Sequence, residues 1–168
     1  QKLSNIAAAR PLSGKVAFIH GGSRGIGAAT ARRLARDGAR VAIGYAASAI
    51  AAEALVEEII AAGGEAIALK ADATDSPALV RAIDRAAERF GRLDILVNSA
   101  GVLAMAPLDQ FKLEDFDRTV AVNIRSVFVA SQAAARHMKE GGRIINIGST
   151  NAQRMPFAGG AVYAMSKS

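Results

Sequence analysis

Between Val16 and Gly38 the chain reads VAFIHGGSRGIGAATARRLARDG: a short apolar run, a glycine-rich turn, and a helical pattern closed by glycine. This stretch limits what the chain can become. Gly21, Gly25 and Gly27 stand in a G-x-x-x-G-x-G spacing. A turn that tight needs backbone angles that glycine adopts without steric cost, and a pyrophosphate can reach the main chain only where no side chain intervenes. The helix beginning at Ile26 would then turn its free N–H groups, and roughly half a positive charge, toward the anion. Glycine turns also arise for purely structural reasons, so the rest of the chain has to choose between a phosphate cradle and a plain turn.

Apolar runs and helical patterns alternate almost without interruption. The pattern predicts strands at Val16 to His20, Val41 to Tyr45, Ala66 to Leu69, Leu93 to Val97 and Arg143 to Ile147. Between them it predicts helices at Ile26 to Asp37, Ala49 to Ala62, Asp75 or Ser76 to Phe90, and Glu114 to Met138. Ser48 is expected to cap the second helix, Asp75 or Ser76 the third, and Gly38, Gly63, Gly91 and Gly141 mark stops. On the long helix, Val120, Ile124, Val127, Phe128 and Ser131 recur at helical spacing. Such alternation predicts an α/β fold: a doubly wound parallel sheet of Rossmann type with helices on both faces. Ligands in such sheets sit beyond the carboxyl ends of the strands, which directs attention to Gly21–Gly27, Tyr45–Ser48, Asp72–Ala73, Asn98–Gly101 and the segment from Ser149 onward. Residues 1–13 are expected to be a leader, partly disordered, and residues 14–168 one dinucleotide-binding and catalytic domain.

Composition narrows the function classes. The chain has 168 residues, half of them hydrophobic and few aromatic, so its core must be built from Ala, Val, Ile and Leu. It has no cysteine, which excludes disulfides, thiol nucleophiles and cysteine-based zinc sites and is compatible with a cytoplasmic location. His20 and His137 have no partner at metal-ligand spacing, so no metal is expected. The net charge of +6 is partly concentrated at Arg32, Arg33, Arg36 and Arg40, but no aromatic stacking residues accompany them. No nucleic-acid partner is therefore expected. No uninterrupted apolar stretch reaches membrane-spanning length, so no membrane partner is expected either.

Four motifs in order make the resemblance specific: Gly21, Gly25 and Gly27; Asn98-Ser99-Ala100-Gly101; Asn123 in the long helix; and Ser149 with Tyr163 and Lys167. Together they resemble the short-chain dehydrogenase/reductase family from about Gly14 to the last residue. The residue types suit the chemistry. Tyr163 and Lys167 stand four apart and on one helical turn share a face. A lysine ammonium about 4 Å from a tyrosine hydroxyl, at an effective dielectric near 20, favours the tyrosinate by roughly 4 kcal/mol, which suits a general acid and base. The resemblance implies that Tyr163 gives a proton to a carbonyl as hydride arrives. It further implies that Lys167 holds the cofactor ribose, that Ser149 hydrogen-bonds the carbonyl and that Asn123 anchors a water relay. Thr150 is an alternative to Ser149, because Ser149 lies one position farther from Tyr163 than in many relatives. The cofactor-binding set it implies is Gly21, Ser23, Arg24, Gly25, Ile26, Gly27, Tyr45, Ser48, Asp72, Ala73, Asn98, Ala100 and Gly101.

Charge directs the choice of cofactor. After the second strand, where an acidic residue would select an unphosphorylated ribose, this chain has Tyr45-Ala46-Ala47-Ser48, and Arg24 lies in the glycine turn. NADP(H) is therefore expected in preference to NAD(H), with NAD(H) still usable. His20 stands where the family usually has threonine, and Ser99 where it usually has a second asparagine. Arg154, Met155 and Phe157 are expected at the substrate mouth. The expected activity is reduction of a small-molecule carbonyl to an alcohol, a 3-oxoacyl thioester being one candidate, by a homo-dimer or homo-tetramer. The alternative is a non-catalytic or regulatory nucleotide binder on the same fold. Family members continue past Lys167 into further strands, so the resemblance also implies a chain incomplete at its C-terminus.

Overall fold

The computed structural model describes residues 10–168; the greater part of the expected leader lies outside them. Five parallel strands form one sheet in the order β3-β2-β1-β4-β5, with β1 Val16–His20, β2 Arg40–Tyr45, β3 Ala66–Lys70, β4 Ile95–Asn98 and β5 Arg143–Asn146. The helices are α1 Gly25–Arg36, α2 Ala49–Ala61, α3 Ser76–Phe90, α4 Leu113–Val120, α5 Ser126–Ala135 and α6 Ala161–Ser166. The predicted doubly wound α/β architecture is the observed one, and its strand bounds shift by no more than two residues.

Two apolar clusters cover the two faces of the sheet. Val16 and Phe18 pack with α3 and α5 through Leu79, Ile83, Phe90 and Ala130. Ala17 and Ile19 pack with α1 and α2 through Ala31, Leu55 and Ile59. The period-two alternation of strand side chains thus serves both faces, and β1 is buried along its whole length. The small alanines of α1, α3 and α5 let these helices lie close to the strands.

Ion pairs engage Arg32 and Arg33, two of the four arginines that the sequence concentrates near α1. Arg32 makes a two-pronged bond to Glu58, at 2.8 Å from both Nε and Nη2, and Arg33 reaches Asp37 one turn on at 2.8 Å. At the entry of β4, the buried Asp94 accepts from the Val16 N–H at 2.9 Å and from the Arg92 guanidinium at 2.6 Å. Burial pushes its carboxyl up, but the Arg92 and Val16 hydrogen bonds and the nearby Lys15 outweigh burial and hold it below the ordinary range. That arrangement fixes the register of β1 on β4 at the sheet's lower end.

Two expectations need correction. The helix predicted as continuous from Glu114 to Met138 is interrupted: a π-helical turn at Ala121–Arg125 separates α4 from α5, and α5 ends at Ala135. The residues of this segment divide between surface and interior. Ile124 and Phe128 are exposed, whereas Val122, Asn123, Ser126, Ala130 and Ala133 face inward. Ser48 occupies the N-cap position of α2 but makes no capping bond with its side chain, while Asp75 does cap α3, accepting from the Ala78 N–H at 2.9 Å. Among the described residues, no helix is long and apolar enough to cross a membrane.

Candidate active site

The glycine turn closes on itself and on the turn behind β4. The N–H groups of Gly21 and Gly22 both donate to the Gly44 carbonyl, which ties the turn to the end of β2. Gly21 has φ +77°, and a Cβ there would lie 2.6 Å from the Ala100 nitrogen. A Cβ on Gly27 would collide with the Gly21 carbonyl oxygen. Both positions thus require glycine, one because the backbone is left-handed and crowded, the other because the first turn of α1 packs directly on the loop. Arg24 precedes α1 in an extended conformation; the helix has no side-chain cap and no acidic residue in its first turn. The amides of Gly25, Ile26 and Gly27 are therefore open to an outside acceptor, and a phosphate fits that donor set.

The other strand ends surround this turn. Arg24 and Ile26 are exposed, Ser23, Tyr45 and Ser48 half-buried. Asp72 folds into a local turn, its Oδ1 accepting from both the N–H and the hydroxyl of Thr74 at 2.8 Å. Those two bonds hold its carboxyl below the ordinary range, and Ala73 beside it is buried. Asn98 is buried beneath the site, its amide nitrogen donating to Asn146 at 2.9 Å and to Ser131 at 3.4 Å. Its side chain braces β4 against β5.

His20 belongs to the same buried polar layer. Its Nε2 lies 3.3 Å from the Ser126 hydroxyl, which already donates to the Val122 carbonyl at 2.6 Å. Ser126 must then accept from the Nε2–H, so Nδ1 carries the lone pair, and no described group satisfies it. Burial lowers the imidazole to about 4, against a smaller opposing pull from Asp72, so the ring is neutral at physiological pH.

Behind β4, Gly101 is the junction between the cradle and the Tyr–Lys segment. A Cβ at Gly101 would stand 3.3 Å from the Lys167 ammonium and 3.6 Å from the Asn123 side-chain oxygen. Asn123 sits in the π-helical turn, accepting from the Val102 N–H and donating back to the Val102 carbonyl, each at 2.9 Å. Its second amide hydrogen goes to the Ser166 hydroxyl at 2.9 Å. Lys167 donates to the Ile147 carbonyl at 3.1 Å, and burial lowers its ammonium below the ordinary lysine range. α6 spans Ala161–Ser166, with Tyr163 on it and Lys167 the residue after Ser166. Tyr163 is half-buried. Ser149 caps a short turn at Thr150–Ala152, its hydroxyl accepting from the Asn151 N–H at 3.2 Å, while Thr150 is exposed. In the following loop, Arg154 and Phe157 are exposed and Met155 packs over Gly160.

Sequence reasoning missed Gly22, Val102, Ser126 and Ser166. Only Ser166 carried a usable signal, a small polar residue between the tyrosine and lysine of an otherwise apolar segment.

A family model described as short chain dehydrogenase matches residues 15–168. The chain belongs to the short-chain dehydrogenase family. Among solved structures, a short-chain dehydrogenase/reductase from Serratia marcescens is 61% identical, with a TM-score of 0.92 over 94% of this chain and 64% of its own. A short chain dehydrogenase from Burkholderia cenocepacia, solved in complex with NADP, is 57% identical, with a TM-score of 0.91 and the same coverage. A hydroxynaphthalene reductase from Aspergillus fumigatus is 44% identical over 94% of this chain. The chain spans 57% of that reductase's length.

Proposed function

We propose that this protein is an NADP(H)-dependent oxidoreductase that reduces a carbonyl to an alcohol. The observation that carries the reading is the Ala100–Gly101 turn. One residue of it seals the glycine cradle and the next gives room to the Lys167 ammonium and Asn123, so an anion-binding loop and a proton-handling segment share one wall. A nicotinamide cofactor, when bound, supplies the hydride. Gly25, Ile26 and Gly27 would hold its pyrophosphate, and Lys167 its ribose. Arg24, with no carboxylate at Tyr45–Ser48 to compete, would receive a 2′-phosphate. The NADP complex of the Burkholderia relative supports NADP binding. Ser149 would position the substrate carbonyl and Tyr163 would protonate its oxygen. The reductase named among the relatives supports ketone reduction, and a 3-oxoacyl thioester belongs to the same chemistry. The exposed Ile124 and Phe128 on the α4–α5 segment supply an apolar face for a homo-dimer or homo-tetramer.

The test is stopped-flow oxidation of NADPH against a panel of ketones, using the protein expressed from its full reading frame. Tyr163→Phe should lower kcat by at least about 100-fold while leaving NADPH binding in place. A variant that turns over like the wild type would instead favour a nucleotide-binding protein whose Tyr163 does no proton transfer.

A further inference from the structure

We propose that Ser166 is a positioning residue for the Tyr163–Lys167 pair, a link that locks the short helix carrying them onto the β4 loop through Asn123. The inference rests on the reductase reading above. It begins with the direction of each hydrogen bond. The Asn123 amide faces both the N–H and the carbonyl of Val102, so its orientation is fixed: Oδ1 must accept and Nδ2 must donate. The remaining Nδ2 hydrogen points at the Ser166 oxygen, which accepts it. The serine's own hydrogen is then free, and it goes to the Tyr163 carbonyl at 2.8 Å. A single direction of donation therefore runs from Asn123 through Ser166 to the backbone of Tyr163.

Helix α6 begins at Gly160 without a side-chain cap, and the Ser166 hydroxyl pairs the Tyr163 carbonyl. Ser166 and Asn123 are both buried, so water cannot replace either bond without entering the junction. Ser166 sits immediately before Lys167, whose ammonium is held by the Ile147 carbonyl. Removing the hydroxyl would leave an Asn123 N–H and the Tyr163 carbonyl unpaired and release the helix from the π-helical turn. A displacement of about 1 Å at reacting groups can cost on the order of 100-fold in rate.

The experiment compares wild type, Ser166→Ala, Ser166→Cys and Ser166→Thr in the full reading frame, measuring NADPH affinity, and kcat and KM for a reducible ketone. Ala and Cys should each lower kcat by about 10-fold to 100-fold with NADPH affinity within about threefold of wild type. Thr, which keeps the hydroxyl, should return kcat to within about threefold of wild type. Cys is nearly the size of serine but a weak hydrogen-bonding group, so full activity in Ser166→Cys would overturn the proposal by showing that packing alone matters. Thr as impaired as Ala would overturn it too. If the wild type oxidises NADPH with none of the ketones tested, the reductase reading fails separately, and amide hydrogen exchange decides the link. The Val102 amide should then exchange at least about tenfold faster in Ser166→Ala, and an unchanged rate would overturn the proposal.

Discussion

Strands β1 (VAFIH) and β5 (RIIN) are both apolar runs bounded by polar residues in the same parallel sheet, yet their environments differ. Every residue of β1 is buried, and all four of β5 are exposed, with Ile144 at 41% and Ile145 at 46%. The cause is position in the sheet. β1 has β2 on one side and β4 on the other, with α1 and α2 over one face and α3 and α5 over the other. Among the described residues β5 pairs only with β4, and neither isoleucine joins either apolar cluster. Strand propensity thus places a segment in the sheet, but neighbours decide what its side chains contribute. The part of the molecule that holds the glycine cradle is built on the buried strand, and the segment that carries Ser149 follows the exposed one.

The largest expected effect is at the centre of β1. Phe18 is fully buried, its ring filling the space beside Gly44, where a Cβ would come within 2.9 Å of it. Phe18→Ala removes the ring from a site the surrounding strands cannot collapse into, and should cost about 3–5 kcal/mol in urea unfolding. A loss below about 1.5 kcal/mol would mean that the centre of the sheet is far softer than its burial implies.

His20, at the end of the same strand, should make stability depend on pH. Its folded pKa of about 4 lies below the ordinary value of 6.5, so the unfolded chain takes up the proton first. Stability is then complete above about pH 7 and falls between 6.5 and 4, by up to roughly 3 kcal/mol. Asp72 and Asp94, held low in the folded state, act in a separate window below the ordinary carboxylate pKa. Urea midpoints for wild type and His20→Gln between pH 4 and 8 separate the two contributions. The glutamine variant should be flat where the wild type slopes, and an identical slope would assign the effect to other groups.

The contrast between β1 and β5 also shows what could be seen in the sequence. The order of strands and helices and the tight glycine turn at Gly21–Gly27 were legible because each rests on local spacing: apolar periodicity and glycine positions. The π-helical turn at Asn123 was not, because the sequence there is as helical as its flanks and the break becomes visible only with Val102 and Ser166 bonded to it. The inward role of Asn98 was hidden for the same reason. Its partners Ser131 and Asn146 lie 33 and 48 residues away, and nothing in its own motif indicates which way its amide turns. Burial of Ile144 and Ile145 was unreadable too, since an identical isoleucine pair would be core in a central strand.

The smallest effect belongs to β5, and it tests the comparison most directly. Ile145→Ala trims a side chain about half exposed, beside no cluster that a cavity could disrupt. Partial burial and β propensity together set the expected cost at about 1 kcal/mol or less, a fraction of the Phe18→Ala loss measured under the same conditions. A Ile145→Ala penalty above about 2 kcal/mol would break the comparison, because apolar area left in water cannot supply it. The isoleucine would then be covered in solution by another segment or another copy of the protein. Repeating the measurement at several protein concentrations separates those sources, since only cover by a second copy makes the unfolding midpoint rise with concentration.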